Sequence, residues 1–265
     1  MLHSMWQRVD PSRLRSLAVA AAVVGLLAGI VGAVFASIAG EPAVDDAIAI
    51  EEANAATQPE DPAHSDDDAS VSRSDQRGAG LFGAYALSGA AFGALLALTA
   101  HGLRRCRPDP ARRVVLAGVI LAGAFTVAPW FKYPPNPPAV GDPGTLAERQ
   151  GLYVAVICIA AALGLGATVL DRRLRAAGWP EHRRLPAVVA GVAVPMLMAY
   201  ALLPPAPDEV SVPATLVWRF RVASLGANLT LWVTLTLGLA WLVAEAQRRR
   251  SPAESRAAAS LTMTS

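Results

Sequence analysis

Acidic side chains crowd one stretch of an otherwise weakly charged chain. Glu41, Asp45, Asp46, Glu51, Glu52, Glu60, Asp61, Asp66, Asp67, Asp68 and Asp75 fall within residues 41–80, against Arg73 and Arg77 alone. Such a segment concentrates cations at the surface that carries it. Its first part, GEPAVDDAIAIEEANA, has Pro42 near a helix start and reads as a helix continuing behind it. At about 100° per residue, Glu41, Asp45, Ile48 and Glu52 fall within a sector of about 60°, so the three carboxylates line one face. The second part, QPEDPAHSDDDASVS, has the composition of a mobile linker, in which Asp61, His64 and Asp66 are spaced so that they could ligate a hard or borderline divalent cation. That spacing matches no defined loop such as an EF-hand. A borderline divalent cation favours nitrogen beside oxygen. The candidate metal ligands are therefore Glu41, Asp45 and Glu52, with His64 completing the set.

The elements that must position these groups follow from composition. Hydrophobic residues make up 54% of the 265 and the mean hydropathy is +0.39, while charged residues stand at 17%, below the roughly 25% of soluble chains. Six runs are apolar for about 18 residues or more, enough to cross a hydrocarbon core of roughly 30 Å as helices. They are 16–39, 81–103, 114–131, 152–170, 185–203 and 222–244. A backbone in lipid must satisfy its own hydrogen bonds, and none of the runs alternates as a barrel strand would. The expected fold is all-α, a polytopic membrane protein of six transmembrane helices forming a single membrane domain.

Arginine placement sets the expected orientation. Arg8, Arg13 and Arg15 precede the first span; Arg104, Arg105, Arg107, Arg112 and Arg113 follow the second; Arg172, Arg173, Arg175, Arg183 and Arg184 follow the fourth. Arg248, Arg249, Arg250 and Arg256 follow the sixth. The alternate loops hold only Arg73, Arg77, Lys132, Arg149, Arg219 and Arg221. Both termini are therefore expected in the cytoplasm, with 41–80 an extracytoplasmic loop and 245–265 a cytoplasmic tail. The first run also resembles a secretory signal peptide, with a basic n-region and small residues at Ala36 and Ala39. A signal h-region is about 7–15 residues long, shorter than this run, which favours an uncleaved first span.

Within the spans, Gly25 with Gly29 and Gly89 with Gly93 form GxxxG pairs. They read either as close-packing faces or as a by-product of abundant glycine. Pro195 is expected to kink the fifth span. Asn228 reads as interhelical hydrogen-bonding glue in the sixth, and His101 as an interfacial side chain beside Arg104. The spans contain no Asp or Glu, although intramembrane ionisable groups are what mark ion pathways.

Between the third and fourth spans lies FKYPPNPPAVGDPGTLAERQ. Its YPPNPP reads as a short polyproline II strut that separates and orients them. Trp130 and Tyr133 read as an interfacial aromatic belt, and the single lysine, Lys132, as snorkelling to headgroups. Thr145 with Glu148 reads as a capping box opening the next helix.

Other classes find little support. Cys106 and Cys158 build neither a disulfide framework nor a CxxC site. No basic stripe is interleaved with aromatics, as nucleic-acid binding would require. HExxH, GxSxG and GxxxxGK[ST] are all missing from the sequence, which argues against an enzyme and against ATP hydrolysis through a P-loop.

Three stretches carry a resemblance: GEPAVDDAIAIEEA, VSRSDQRGAGLFGAYALSGAAFG and APWFKYPPNPPAVGDPGTLAERQGLY. Across roughly residues 16 to 170 the chain resembles the CbtA-type predicted cobalt transporter subunits, especially actinobacterial members. The resemblance implies a multi-pass protein of the bacterial plasma membrane linked to cobalt supply for cobalamin synthesis. It also implies a small single-span partner, the CbtB subunit, with a histidine-rich metal-binding end. Homo-oligomerisation stays open. The family is usually described with five spans and this chain reads as six, which leaves the membership of 206–265 and the position of its C-terminus open. The functional expectation is a subunit that moves Co(II) or another divalent cation inward, with no resident cofactor. The alternative is a non-transporting scaffold or assembly subunit whose acidic outer loop binds cations.

Overall fold

The computed structural model describes residues 11–55, 76–138, 140, 143–206 and 212–262. His64, Asp61 and Asp66 lie outside the described residues. Among those described, the backbone is helical throughout its regular parts, with no strand, as a chain with six bilayer-length apolar runs requires. The order is α1 (Pro11–Ala39), α2 (Glu41–Ala55), a π-helical turn (Gln76–Gly80) leading into α3 (Leu81–Gly102), and α4 (Pro110–Ala122). A second π-helical turn (Gly123–Val127) joins α4 to α5 (Ala128–Lys132); α6 (Leu146–Ala176), α7 (Glu181–Leu202) and α8 (Ala214–Thr262) follow. Six helical stretches are long and apolar enough to cross a membrane: α1, α3, the α4–α5 stretch, α6, α7 and α8.

The two GxxxG pairs meet each other. A Cβ on Gly25 would overlap the carbonyl of Gly89, one on Gly29 the carbonyl of Tyr85, and one on Gly93 the carbonyl of Ala21. The residue numbers rise on α1 as they fall on α3, so the helices are antiparallel and their backbones touch along this seam. Without a hydrophobic drive between helices in lipid, such close approach is what makes the pairing favourable. Of the two readings open at these glycines, the packing face is the one realised.

On the other side of α1 lies α8, also antiparallel: Gly32 sits against Ala227 and Leu231, and Gly238 against Val24. Helix α4 closes the group, its Gly118 leaving room for the Thr236 side chain. The core between α1, α3, α4 and α8 contains Leu96, Val114, Leu121, Leu231, Trp232, Leu235 and Leu239, all buried. Phe92, Phe125 and Trp232 stack within it, with the Phe92 and Trp232 centroids 4.8 Å apart. The indole N–H of Trp232 donates to Thr126 Oγ1 at 3.1 Å, which satisfies the one polar atom of this large buried ring.

The remaining two spans are peripheral. Helix α6 packs on the second π-turn and on α7, with Val156 its single buried residue. Helix α7 leans on α6 and has no buried residue. The α6–α7 connection is tight. Gly178 takes φ +77, a conformation that favours glycine. Trp179 N–H reaches back to the Leu174 carbonyl at 3.0 Å and Pro180 prevents continuation.

Three side chains depart from the sequence reading. Asn228 donates to the Ser224 carbonyl at 2.9 Å, within its own helix, so it back-bonds α8 instead of bridging two spans. Thr145 stands at the start of α6 without a side-chain cap, behind a 3₁₀ turn over Pro143–Thr145. Cys158 lies within the fourth span, on a surface turned away from the neighbouring helices. Lys132 does not reach outward at all, as described next.

Candidate functional site

The ends of the spans form two faces. One, the loop face, carries α2, the 133–145 connection and the start of α8; the other, the arginine face, carries the α3–α4 and α6–α7 turns. Helix α2 lies on the loop face because its residues Ala43, Ala47 and Ile50, at helical spacing, pack with Val140, Val212, Leu216 and Val217. Glycine 40 is the single residue between α1 and α2; its N–H still bonds Ala36 O at 2.7 Å. The candidate carboxylates are thus fixed to the bundle.

Of these, the structure brings two together. Glu41, in the first turn of α2, is buried, and its carboxylate lies 3.4 Å from Arg77 Nε. Asp45, one turn on, accepts from Arg77 Nη2 at 2.7 Å. Asp46 pairs with Arg219 at 3.1 Å. Glu52 shares the face but is seven residues beyond Asp45, about 10 Å along the axis at 1.5 Å per residue. Glu52 thus stands two helical turns from the Glu41–Asp45 pair on the same face. Among the described residues no group of three or more His, Cys, Asp or Glu side chains is arranged to hold a metal ion. The sequence reading missed Arg77, which lies 32 positions from Asp45 and carries no local signal.

Below α2 the proline strut is tied down on both sides. Arg221 Nη2 donates to Asn136 Oδ1 at 2.8 Å and its Nε to the Pro135 carbonyl at 3.3 Å. Trp130 Nε1 donates to the Arg221 carbonyl at 3.0 Å. Lys132 Nζ donates to the carbonyls of Tyr200 and Leu203, both at 2.9 Å, and Tyr133 OH to that of Pro204 at 2.8 Å. In an α-helix the Tyr200 carbonyl would accept from residue 204, a proline with no N–H; the lysine supplies the missing donor. Tyr200 OH returns a bond to the Ala128 carbonyl at 2.6 Å. Lys132 therefore caps α7, and Tyr133 is buried instead of lying in an aromatic belt. Burial pushes the Tyr133 phenol above its usual range, with the Glu148 carboxylate adding to it, so the donor stays protonated.

Two neighbouring recesses, an outer and an inner, lie beside the strut. The outer, about 250 Å³, is lined by Tyr133, Asn136, Arg149, Tyr153 and Arg221. The inner, about 60 Å³, has Thr126, Tyr153, Ser224 and Asn228 on its walls and shares Pro135 and Tyr153 with the outer. At about 30 Å³ per molecule it has room for a water or two. Its position follows from the second π-turn: Pro129 offers no N–H to the Phe125 carbonyl, which Tyr153 OH approaches at 3.4 Å.

A bundle of six bilayer-length helices with polar recesses at one face defines a multi-pass membrane protein. Its family is specific: the CbtA family model, described as "Probable cobalt transporter subunit (CbtA)", matches residues 14–244, and the chain belongs to that family. The match runs through the sixth apolar run, so 206–244 lies inside the family's extent, beyond the stretch on which the sequence resemblance rested. No curated protein and no solved structure matches the chain.

Proposed function

We propose that this chain is the membrane subunit through which a divalent transition metal, cobalt for cobalamin synthesis, enters across a bacterial plasma membrane. The observation that carries this reading, beside family membership, is the docking of α2 on the loop face, with Glu41 and Asp45 side by side. With the termini cytoplasmic, as the arginine distribution favours, α2 faces outward and presents its carboxylates to arriving cations. Glu41, Asp45 and Glu52 act there as an entry face of modest affinity and not as one coordination shell. His64 or the histidines of a CbtB-like partner supply nitrogen. Without a P-loop in the chain, the inward pull on a divalent ion comes from the membrane potential, about 2.3 kcal/mol per charge per 100 mV.

The scaffold reading is favoured by one observation, the occupation of Glu41 and Asp45 by Arg77. Radiolabelled cobalt uptake into cells with and without the chain separates the two. The triple variant Glu41→Gln, Asp45→Asn, Glu52→Gln is expected to reduce uptake much more than Asp66→Asn, Asp67→Asn, Asp68→Asn, although both remove three charges. Equal losses would reduce the entry face to diffuse electrostatics, and uptake independent of the chain would leave the scaffold.

A further inference from the structure

A further cavity lies away from the loop face. It lies between α4, α6 and α7, has a volume of about 490 Å³, and extends from Cys106, Arg107 and Asp171 at the arginine face to Phe131 and Tyr200. Along the third span it runs from Leu116 to Phe131, about 22 Å at 1.5 Å per residue, out of a hydrocarbon core of roughly 30 Å. Its walls are apolar through this length, with Ile120, Ala124, Gly164, Ala167 and Val192 among them. The cleft is a long apolar groove against which a flexible hydrocarbon chain can lie.

Its mouth is cationic. Asp171 Oδ2 lies 2.9 Å from Arg175 Nη2 and 3.7 Å from Arg107 Nη2, and Asp171 Oδ1 lies 2.9 Å from Arg184 Nε. Three guanidinium groups surround one carboxylate, which leaves net positive charge where the apolar cleft opens at the bilayer surface. Thr168, with Oγ1 2.7 Å from the Leu165 carbonyl, lines the same end. We propose that this cleft holds an anionic phospholipid, its phosphate at the arginine cluster and one acyl chain along α4 between α6 and α7. Lipid tails are as apolar as the cleft, so transferring the chain into it supplies little preference. Selectivity must come from the headgroup charge, as for other basic pockets between membrane helices.

Native mass spectrometry of the full chain, released from vesicles of equimolar phosphatidylglycerol and phosphatidylcholine, tests this. The wild type is expected to retain one phosphatidylglycerol in preference to phosphatidylcholine. Arg107→Gln is expected to reduce that preference about fivefold, the worth of one basic residue near an anionic surface. Arg104→Gln, altering an exposed arginine outside the cleft, is expected to leave it unchanged. Ala167→Phe, or Val192→Phe from the α7 wall, is expected to abolish retention of both lipids. Equal effects of Arg104→Gln and Arg107→Gln, or lipid retained in a well-folded Ala167→Phe or Val192→Phe variant, would overturn the proposal. So would displacement of the lipid by inorganic phosphate alone, or a protein mass in its place. Should both cleft-filling variants fail to fold, the arginine pair decides.

Discussion

Replacing Lys132 by methionine should release the loop-face end of α7. The amine makes two charge-assisted bonds to carbonyls, those of Tyr200 and Leu203, and the former has no helical donor because residue 204 is proline. Bonds of this kind contribute about 1.5–3 kcal/mol each, with a smaller addition from the helix dipole, about 0.3–1 kcal/mol. Lys132 is half-buried, and in its absence the carbonyls regain some access to water and headgroups, so the lower end applies: about 3 kcal/mol for the pair. That is on the order of a 100-fold increase in the open fraction of this helix end. Hydrogen–deuterium exchange of the protein in nanodiscs reads it directly, as faster exchange of the amides of residues 199–203, with α1 and α3 unaffected. Lys132→Arg keeps the charge and donors but not the compact geometry, and its increase should stay below about tenfold. Exchange in Lys132→Met within about threefold of wild type would refute the capping account and return the lysine to the interface.

Gly25→Leu drives a side chain into the Gly89 carbonyl and should abolish monodisperse folded protein, whereas Gly166→Leu, with nothing within 4 Å of its Cβ, should be tolerated in size-exclusion chromatography. Arg77→Gln removes the cation that competes for Glu41 and Asp45. On the entry-face reading it should tighten Co(II) binding in isothermal titration, and weaker binding would make the arginine a support for the site instead of a competitor. On intact cells an impermeant thiol reagent should miss Cys106 and Cys158 and label a Ser72→Cys variant; labelling of Cys106 from outside would invert the assumed orientation.

The spans were legible because twenty apolar residues in a row have few alternatives in water, and the α2 helix because its proline and carboxylates announce a start. The glycine seam was half legible: the pairs are visible in sequence, but only the antiparallel register of α1 against α3 puts Gly25 on Gly89. What stayed hidden depends on long-range partners. Lys132 looked like an interfacial anchor because its acceptors are some 70 residues away. Asn228 is the exception: its acceptor, the Ser224 carbonyl, is one turn away, a local option open to any helical asparagine. At α2 the shared helical face was legible from the carboxylate spacing, whereas Arg77, 32 positions from Asp45, was not.

The π-turn over Gly123–Val127 works as a register shift built into the third span. One extra residue in a helix rotates everything after it by about 100°. Upstream, Val114, Ala117 and Leu121 face the α1–α3–α8 core; downstream, Ala128 and Tyr133 join Val156 of α6 in a separate cluster. A straight α-helix through 123–127 would turn one of these sets away from its neighbours. The turn lets one span serve as a hinge pin between two groups of helices, with α1, α3 and α8 on one side of it and the α6–α7 pair on the other. Deleting a single residue there would leave the third span just as apolar and nearly as long. It would also unhook Lys132 from α7 and Trp130 from α8, separating the pair from the bundle without touching either.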